Sequence, residues 1–549
     1  MLKEKLINLN IIFLGFALLF ALLIYKDPFS QRNLIPNFEP YPDTIYYINP
    51  ALSFVKGEGF HVRREGRLVN FSVPPLYSFS LIPSFVLKQD PRMSYYTNVV
   101  LGFISLFLFW LILRILFKNK LITYFLLILY MTNYYIYWVP SIIMAENLTL
   151  TLFLAAVFFL LSKSTLINSI FISALVVGIY ATKYANVPLS GVIFVMYPIK
   201  IFLEGLAFKQ KKGLMISFLI SLTGFYLLLS GFETITKGKD FLSQLLVVLS
   251  SIYGSLPKSS TNLQTVAVSH TWFGIEYISK NFPFYIKTLF GAPNKFLWDS
   301  TPLVPGFIGI FGSLGIIWNI FNKKFSFLSV TLITFILSLV AFMSTFYTYD
   351  ARYIYIAIPT LLIGFGLFLQ STEKIIGANK KKIIKILLFI FIAIYLIGSF
   401  IRVKSQISLN LKYAETPWYY IAVLKMNEVF TTEKIENGKK PILISALPPY
   451  FIDYYSNGNY ILLPLSYEQE FRGQEVRQIV WGPNDYSDLP KLYTKYLKEG
   501  FNLYVSRSGL GNEGYTNRDF NTIVKEFNTE LVLQGCYDQC NIYRVKLKE

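Results

Sequence analysis

Apolar runs of about 20 residues, the length a helix needs to cross a bilayer, recur along this chain as far as residue 403. So many unbroken runs leave few soluble folds open, since water-soluble helices show one apolar stripe and one polar face. Spans are expected near 9–25, 97–117, 122–139, 147–162, 166–182, 187–203, 213–232, 304–322, 326–346, 353–369 and 386–403. The fold class is therefore an α-helical polytopic membrane protein with about eleven transmembrane helices. Charged residues make up 15% of the 549, against about 25% in soluble proteins.

The net charge of +19 invites a nucleic-acid reading, but the basic residues cluster in short loops between apolar runs. That placement is the mark of cytoplasmic loops. With the N-terminus inside, Lys118, Lys120, Lys163, Lys209, Lys211, Lys212, Lys323 and Lys324 all fall inside, as do Lys374, Lys380, Lys381, Lys382 and Lys385. Nucleic acid is excluded as a partner, and the expected location is the plasma membrane, multi-pass. The run Leu9–Tyr25 lacks a small-residue cleavage site after it and is expected to be retained as the first span.

This orientation sends three large pieces outside: loops 26–96 and 233–303, within a membrane domain of 1–403, and a tail of 404–549. The second loop holds Asn281, Pro283 and Pro293 and is too broken for a span. In the tail, strands are expected over Pro441–Ala446, Tyr460–Pro464 and Phe501–Ser506. Helices are expected from Thr416 to Phe430, Asp485 to Glu499 and Arg518 to Phe527, and a closing hairpin over Glu530–Gln534 and Asn541–Lys546. These make an extracytoplasmic C-terminal α/β domain. Cys536 and Cys540, the whole cysteine complement, are a disulfide candidate across that hairpin. Two cysteines with two histidines, His61 and His270, exclude a Cys-rich metal site.

Ionisable residues beside membrane helices are costly, so each calls for a reading. Asp43 lies in the first outer loop, Glu146 at the outer start of the fourth span, and Lys183 at the next outer turn. Asp350 and Arg352 stand at the outer start of the tenth. Separated pieces of chain thus bring acids and bases to one side of the membrane. Gly306, Gly309, Gly312 and Gly315 recur every three residues within an apolar run, which points to close helix packing. There is no P-loop and no strand–GxGxxG–helix unit for a nucleotide.

Pro42–Asp43–Thr44–Ile45–Tyr46–Tyr47, Gly57–Glu58–Gly59–Phe60 and Val73–Pro74–Pro75–Leu76–Tyr77 resemble the first outer loop of GT-C glycosyltransferases. The likeness is to protein O-mannosyltransferases and the transferases that add aminoarabinose to lipid A. Ala145–Glu146–Asn147–Leu148, Ala181–Thr182–Lys183 and Arg352–Tyr353–Ile354–Tyr355 before Pro359 continue it in order. The pattern departs at Thr44, where relatives often carry a second acid, and at Val73, where the aminoarabinose branch carries a basic residue.

The resemblance implies transfer of a sugar from a polyprenyl-phosphate-linked donor to a lipid, glycan or protein acceptor. Asp43 would be the general base, and Glu146 would orient the acceptor or a cation. Lys183, Arg352 and Tyr353 would bind the donor phosphate, with His61, Tyr46 and Tyr77 as candidate substrate contacts. Whether a divalent cation takes part is left open. The alternative class is a transporter or lipid-linked sugar flippase, which predicts charges at mid-bilayer and two matching halves. Few charges fall mid-span and no clear repeat is visible.

Overall fold

The structure, a computed structural model, describes residues 43–64, 67–70, 73–237, 273–292, 301–322, 324–346 and 349–375. In the C-terminal part it describes 425–430, 439–446, 459–465, 468–471, 474–477, 489–509, 513–534 and 541–548, with isolated positions between 390 and 405. The expected span at 9–25, most of that at 386–403, His270 and the Cys536–Cys540 pair lie outside these residues.

In chain order the described elements begin with α1 (Asp43–Val55), the hairpin β1 (His61–Arg64) and β2 (Arg67–Asn70), and α2 (Pro75–Leu87). Apolar helices follow: α3 (Met93–Leu116), α4 (Lys120–Met131), α5 (Tyr134–Trp138), α6 (Glu146–Leu161), α7 (Leu166–Thr182), α8 (Val187–Leu203) and α9 (Phe208–Lys237). Next come α10 (Ile278–Leu289), α11 (Gly306–Ile320), α12 (Ser326–Ser344) and α13 (Ala357–Ile375). The C-terminal part holds β3 (Ile442–Ala446), β4 (Ile461–Pro464), β5 (Glu468–Phe471), β6 (Gln474–Arg477), α14 (Leu489–Lys498), β7 (Leu503–Gly509), α15 (Glu513–Glu526), β8 (Asn528–Leu533) and β9 (Ile542–Lys546). By packing, one unit takes in the described residues within 72–255 and 272–412. The other takes in those within 31–71, 256–271 and 413–549.

The first unit is a bundle of apolar helices. Four of them, Met93–Leu116, Tyr184–Leu203, Phe208–Thr236 and Ser326–Ser344, are long and apolar enough to cross a membrane. Six shorter apolar helices accompany them, and the chain is an integral membrane protein. Its tightest contact is between α11 and α13. A methyl group at Gly312 would run into the Leu361 carbonyl, one at Gly315 into the Gly364 carbonyl, and one at Gly364 into the Gly312 carbonyl. The expected glycine stripe therefore does pack backbone on backbone, with Gly309 meeting the Leu289 carbonyl at the end of α10. The other side of α11 shows Ile310, Leu314, Ile317 and Trp318 at the surface, as a lipid-facing side would.

Two expectations need correction, and two loops prove to be partly helical. The run 122–139 is not one helix. Asn133 accepts from Tyr135 N at 3.0 Å and Ile136 N at 3.3 Å, so it caps a new helix and breaks the run between α4 and α5. The span expected from 353 starts at Ala357, because Asp350 caps a 3-10 turn, Ala351–Ile354, ahead of it. Loops 26–96 and 233–303 also contain helices: α1, α2 and α10, with Pro50, Pro83 and Pro283 inside them.

The second unit contains a five-stranded sheet of order β4-β3-β7-β9-β8. β4, β3 and β7 run parallel, while β9 is antiparallel to β7 and β8. Parallel strands are buried on both faces. Ile442, Ile444, Leu503 and Val505 pack with Tyr493 of α14 and Phe520, Ile523 and Phe527 around α15. Tyr504 alternates to the opposite face, where Phe430 lies 5.0 Å from its ring and 4.6 Å from that of Tyr460. The strands expected near 441–446, 460–464 and 501–506, the helices near 485–499 and 518–527, and the closing hairpin are all present.

Candidate active site

Glu146 opens α6, where a negative charge meets the positive end of the helix dipole. Lys183 follows the last residue of α7 in extended backbone (φ −159°, ψ 126°), and a 3-10 turn, Tyr184–Asn186, leads into α8. Chain reversal at that point brings the lysine beside α6. Its Nζ lies 2.6 Å from Glu146 Oε1, with the two side chains 18% and 7% exposed.

Arg352 is carried by the 3-10 turn Ala351–Ile354. Asp350 fixes that turn by accepting from Arg352 N at 2.9 Å, and its Oδ2 lies 3.7 Å from Arg352 Nε. Arg352 Nη2 donates to Tyr353 Oη at 3.2 Å. The Tyr353 ring then receives both cations, Lys183 Nζ at 4.9 Å and Arg352 Cζ at 5.0 Å from its centroid. The face of one aromatic ring thus attracts both cations.

Glu146, Lys183, Arg352 and Tyr353 line one open cavity. Thr149 and Asn186 share the lining, and Leu189, Leu339, Met343 and Ile356 supply an apolar part. One acid, Glu146, and two bases line this space, and Lys183 keeps donors beyond the one facing Glu146. Guanidinium and ammonium beside an apolar wall suit an amphiphilic anion, a phosphate head on a hydrocarbon chain.

The remaining candidates fall as follows. Asp43 is the first residue of α1 and Tyr46 lies one turn along it, in the second unit. His61 starts β1 after a turn in which Gly57 and Gly59 take φ of 80° and 82°, values that favour glycine. A methyl group at Gly59 would sit 3.0 Å from the His61 ring, so the imidazole folds back on this turn. Tyr77 belongs to the first unit but does not line the cavity. It is fully buried and donates to Asn98 Oδ1 at 2.8 Å, while Asn98 Nδ2 donates to Ile142 O at 2.6 Å. Among the described residues no three His, Cys, Asp or Glu side chains gather to hold a metal ion.

Sequence reasoning missed Thr149 and Asn186, although each stands three residues beyond a candidate it did name. It also placed Glu233 in a loop. Glu233 lies inside α9, wholly buried, accepting from Tyr184 Oη at 3.0 Å.

No protein-family model matches the sequence, and no curated protein matches it. Solved structures do. ArnT from Cupriavidus metallidurans bound to undecaprenyl phosphate aligns with a TM-score of 0.60 at 12% identity, over 98% of this chain and 98% of that one. ArnT from the same organism in the apo state aligns with a TM-score of 0.58, again at 12% identity and 98% coverage of both. At that identity the likeness is one of fold. In fold, over nearly its whole length, this chain is similar to ArnT, a lipid A aminoarabinose transferase of the GT-C class, as its sequence motifs anticipate.

Proposed function

We propose that this protein is a glycosyltransferase that moves a sugar from a polyprenyl-phosphate-linked donor to an acceptor on the outer face of the membrane. The observation that carries this reading is the meeting of Lys183, Arg352, Tyr353 and Glu146 on one cavity with an apolar wall. The fold adds support, since ArnT, which it resembles, has been crystallised with undecaprenyl phosphate.

In this reading the phosphate head lies against Lys183 and Arg352 and the prenyl chain runs along the apolar side. The acceptor hydroxyl oxygen attacks the anomeric carbon. The bond from that carbon to the phosphate oxygen breaks, and its electron pair leaves with the phosphate. Lys183 and Arg352 stabilise the negative charge that develops there, fixed in place before the reaction begins. Asp43 takes the proton lost by the acceptor hydroxyl. Glu146 orients Lys183 and thereby the head group. The chain spans the membrane many times with its N-terminus cytoplasmic and the 404–549 tail outside.

The test is transfer of labelled sugar from a panel of polyprenyl-phosphate sugars by purified protein, alongside Lys183→Ala and Arg352→Ala. Transfer by wild type that both variants lose supports the reading. Transfer that survives both removes these residues from the phosphate site.

A further inference from the structure

Glu146 and Thr149 stand three residues apart on α6, and Lys183 and Asn186 three apart across the turn after α7. On α6 that spacing puts Glu146 and Thr149 on one helix face. The two pairs meet as two rungs: Lys183 Nζ lies 2.6 Å from Glu146 Oε1, and Asn186 Nδ2 donates to Thr149 Oγ1 at 2.9 Å. Three helical residues advance about 4.5 Å, so the neutral rung lies almost one turn further along α6 than the ionic one. Both rungs line the same cavity.

The protein leaves part of the neutral rung unused. Asn186 directs Nδ2 to Thr149 Oγ1 and to Ile179 O at 3.2 Å, which fixes which end of the amide is the nitrogen. Its Oδ1 accepts no hydrogen bond among the described residues. Thr149 Oγ1 accepts from Asn186, and among the described residues its own proton goes to no acceptor. An acceptor and a donor that the protein leaves unused on a cavity wall are open to a ligand or water. A hydroxyl meets both at once, because it donates one hydrogen bond and accepts another.

We propose that Thr149 and Asn186 form a hydroxyl-recognising subsite that binds one hydroxyl of the transferred sugar while the phosphate lies at Lys183. This rests on the transferase reading above. The rung spacing is of the size that separates phosphorus from a ring hydroxyl near the anomeric carbon of a glycosyl phosphate. A prenyl chain carries no hydroxyl, so the rung has no use for that part of the donor.

The experiment compares full-length wild type, Thr149→Val and Asn186→Ala. It measures transfer from a polyprenyl-phosphate sugar and each of its singly deoxygenated analogues, and binding of labelled polyprenyl phosphate without a sugar. A site built around a substrate hydroxyl rejects the analogue lacking it strongly, so wild type is expected to lose at least about tenfold in kcat/KM on one deoxy donor. Both variants should bring that ratio close to one by slowing the parent donor, with polyprenyl phosphate bound as in wild type. Variants that slow every donor alike, or that weaken binding of the bare lipid phosphate, overturn the subsite and make the rung a brace between α6 and the turn. Wild type that transfers every deoxy donor equally overturns the subsite and leaves the transferase reading standing. Wild type that neither binds the lipid phosphate nor transfers any sugar overturns the transferase reading, and the subsite with it.

Discussion

Lys183 Nζ stands 2.6 Å from Glu146 Oε1, joining two helices whose contact residues are 37 positions apart in the chain. The pair is largely buried, and removing one member of a buried pair strands the other, typically at about 3–5 kcal/mol. The lysine's partial exposure places this pair at the lower end of that range. Lys183→Met and Glu146→Ala should each lower the detergent melting temperature more than the double variant does. Single and double variants melting together would show that the pair contributes little to the fold.

Arg352 offers a planar fork where Lys183 offers a point charge. Arg352→Lys keeps the charge but loses the fork and the bond from Nη2 to Tyr353 Oη. Transfer should fall by about a hundredfold in Arg352→Ala, the usual cost of losing one preorganised donor, and by less in Arg352→Lys. Steady-state rates on the donor identified with wild type check the ranking, and equal rates for the two variants would contradict it.

Tyr77 stands apart from these groups because Asn98 takes its hydroxyl proton. Tyr77→Phe should cost about 1 kcal/mol of stability, the usual net worth of a buried hydrogen bond. Its transfer rate should match wild type. A stable variant with impaired transfer would restore Tyr77 to the substrate contacts.

The glycines between α11 and α13 leave no room for a methyl group. Gly315→Ala forces the helices apart against the Gly364 carbonyl and should destabilise by about 1–3 kcal/mol. Gly191→Ala is the control, since a methyl there meets nothing within 4 Å. Melting in detergent should separate the two, with Gly191→Ala as stable as wild type or slightly more so.

Much of the fold was legible because hydrophobic burial against lipid writes itself into long runs: α7 and α8 run over the residues expected, 166–182 and 187–203. The alternation of Ile442, Ile444, Leu503 and Val505 made the parallel strands visible in the same way. A hydropathy run cannot register a single capping side chain, and so it missed the break at Asn133. The helices α2 and α10, with Pro83 and Pro283 inside them, were not read from the sequence, and α10, at 12 residues, is too short for a span, as expected of its loop. At the site, charge made Glu146, Lys183 and Arg352 visible. Thr149 and Asn186 are neutral and common beside apolar helices, and only their spacing from the charged pair distinguishes them. Tyr77 carries a motif but does not line the cavity, and sequence cannot show that its hydroxyl is aimed at Asn98.

The measurement that tests the central claim most directly is sugar transfer from polyprenyl-phosphate donors by purified wild type and Asp43→Asn in parallel. Asn keeps the size and polarity of Asp but cannot take a proton. The account predicts transfer by wild type and none above background by Asp43→Asn, with equal expression and equal melting temperature. Substantial transfer by a well-folded Asp43→Asn would contradict the assignment of Asp43 as the base.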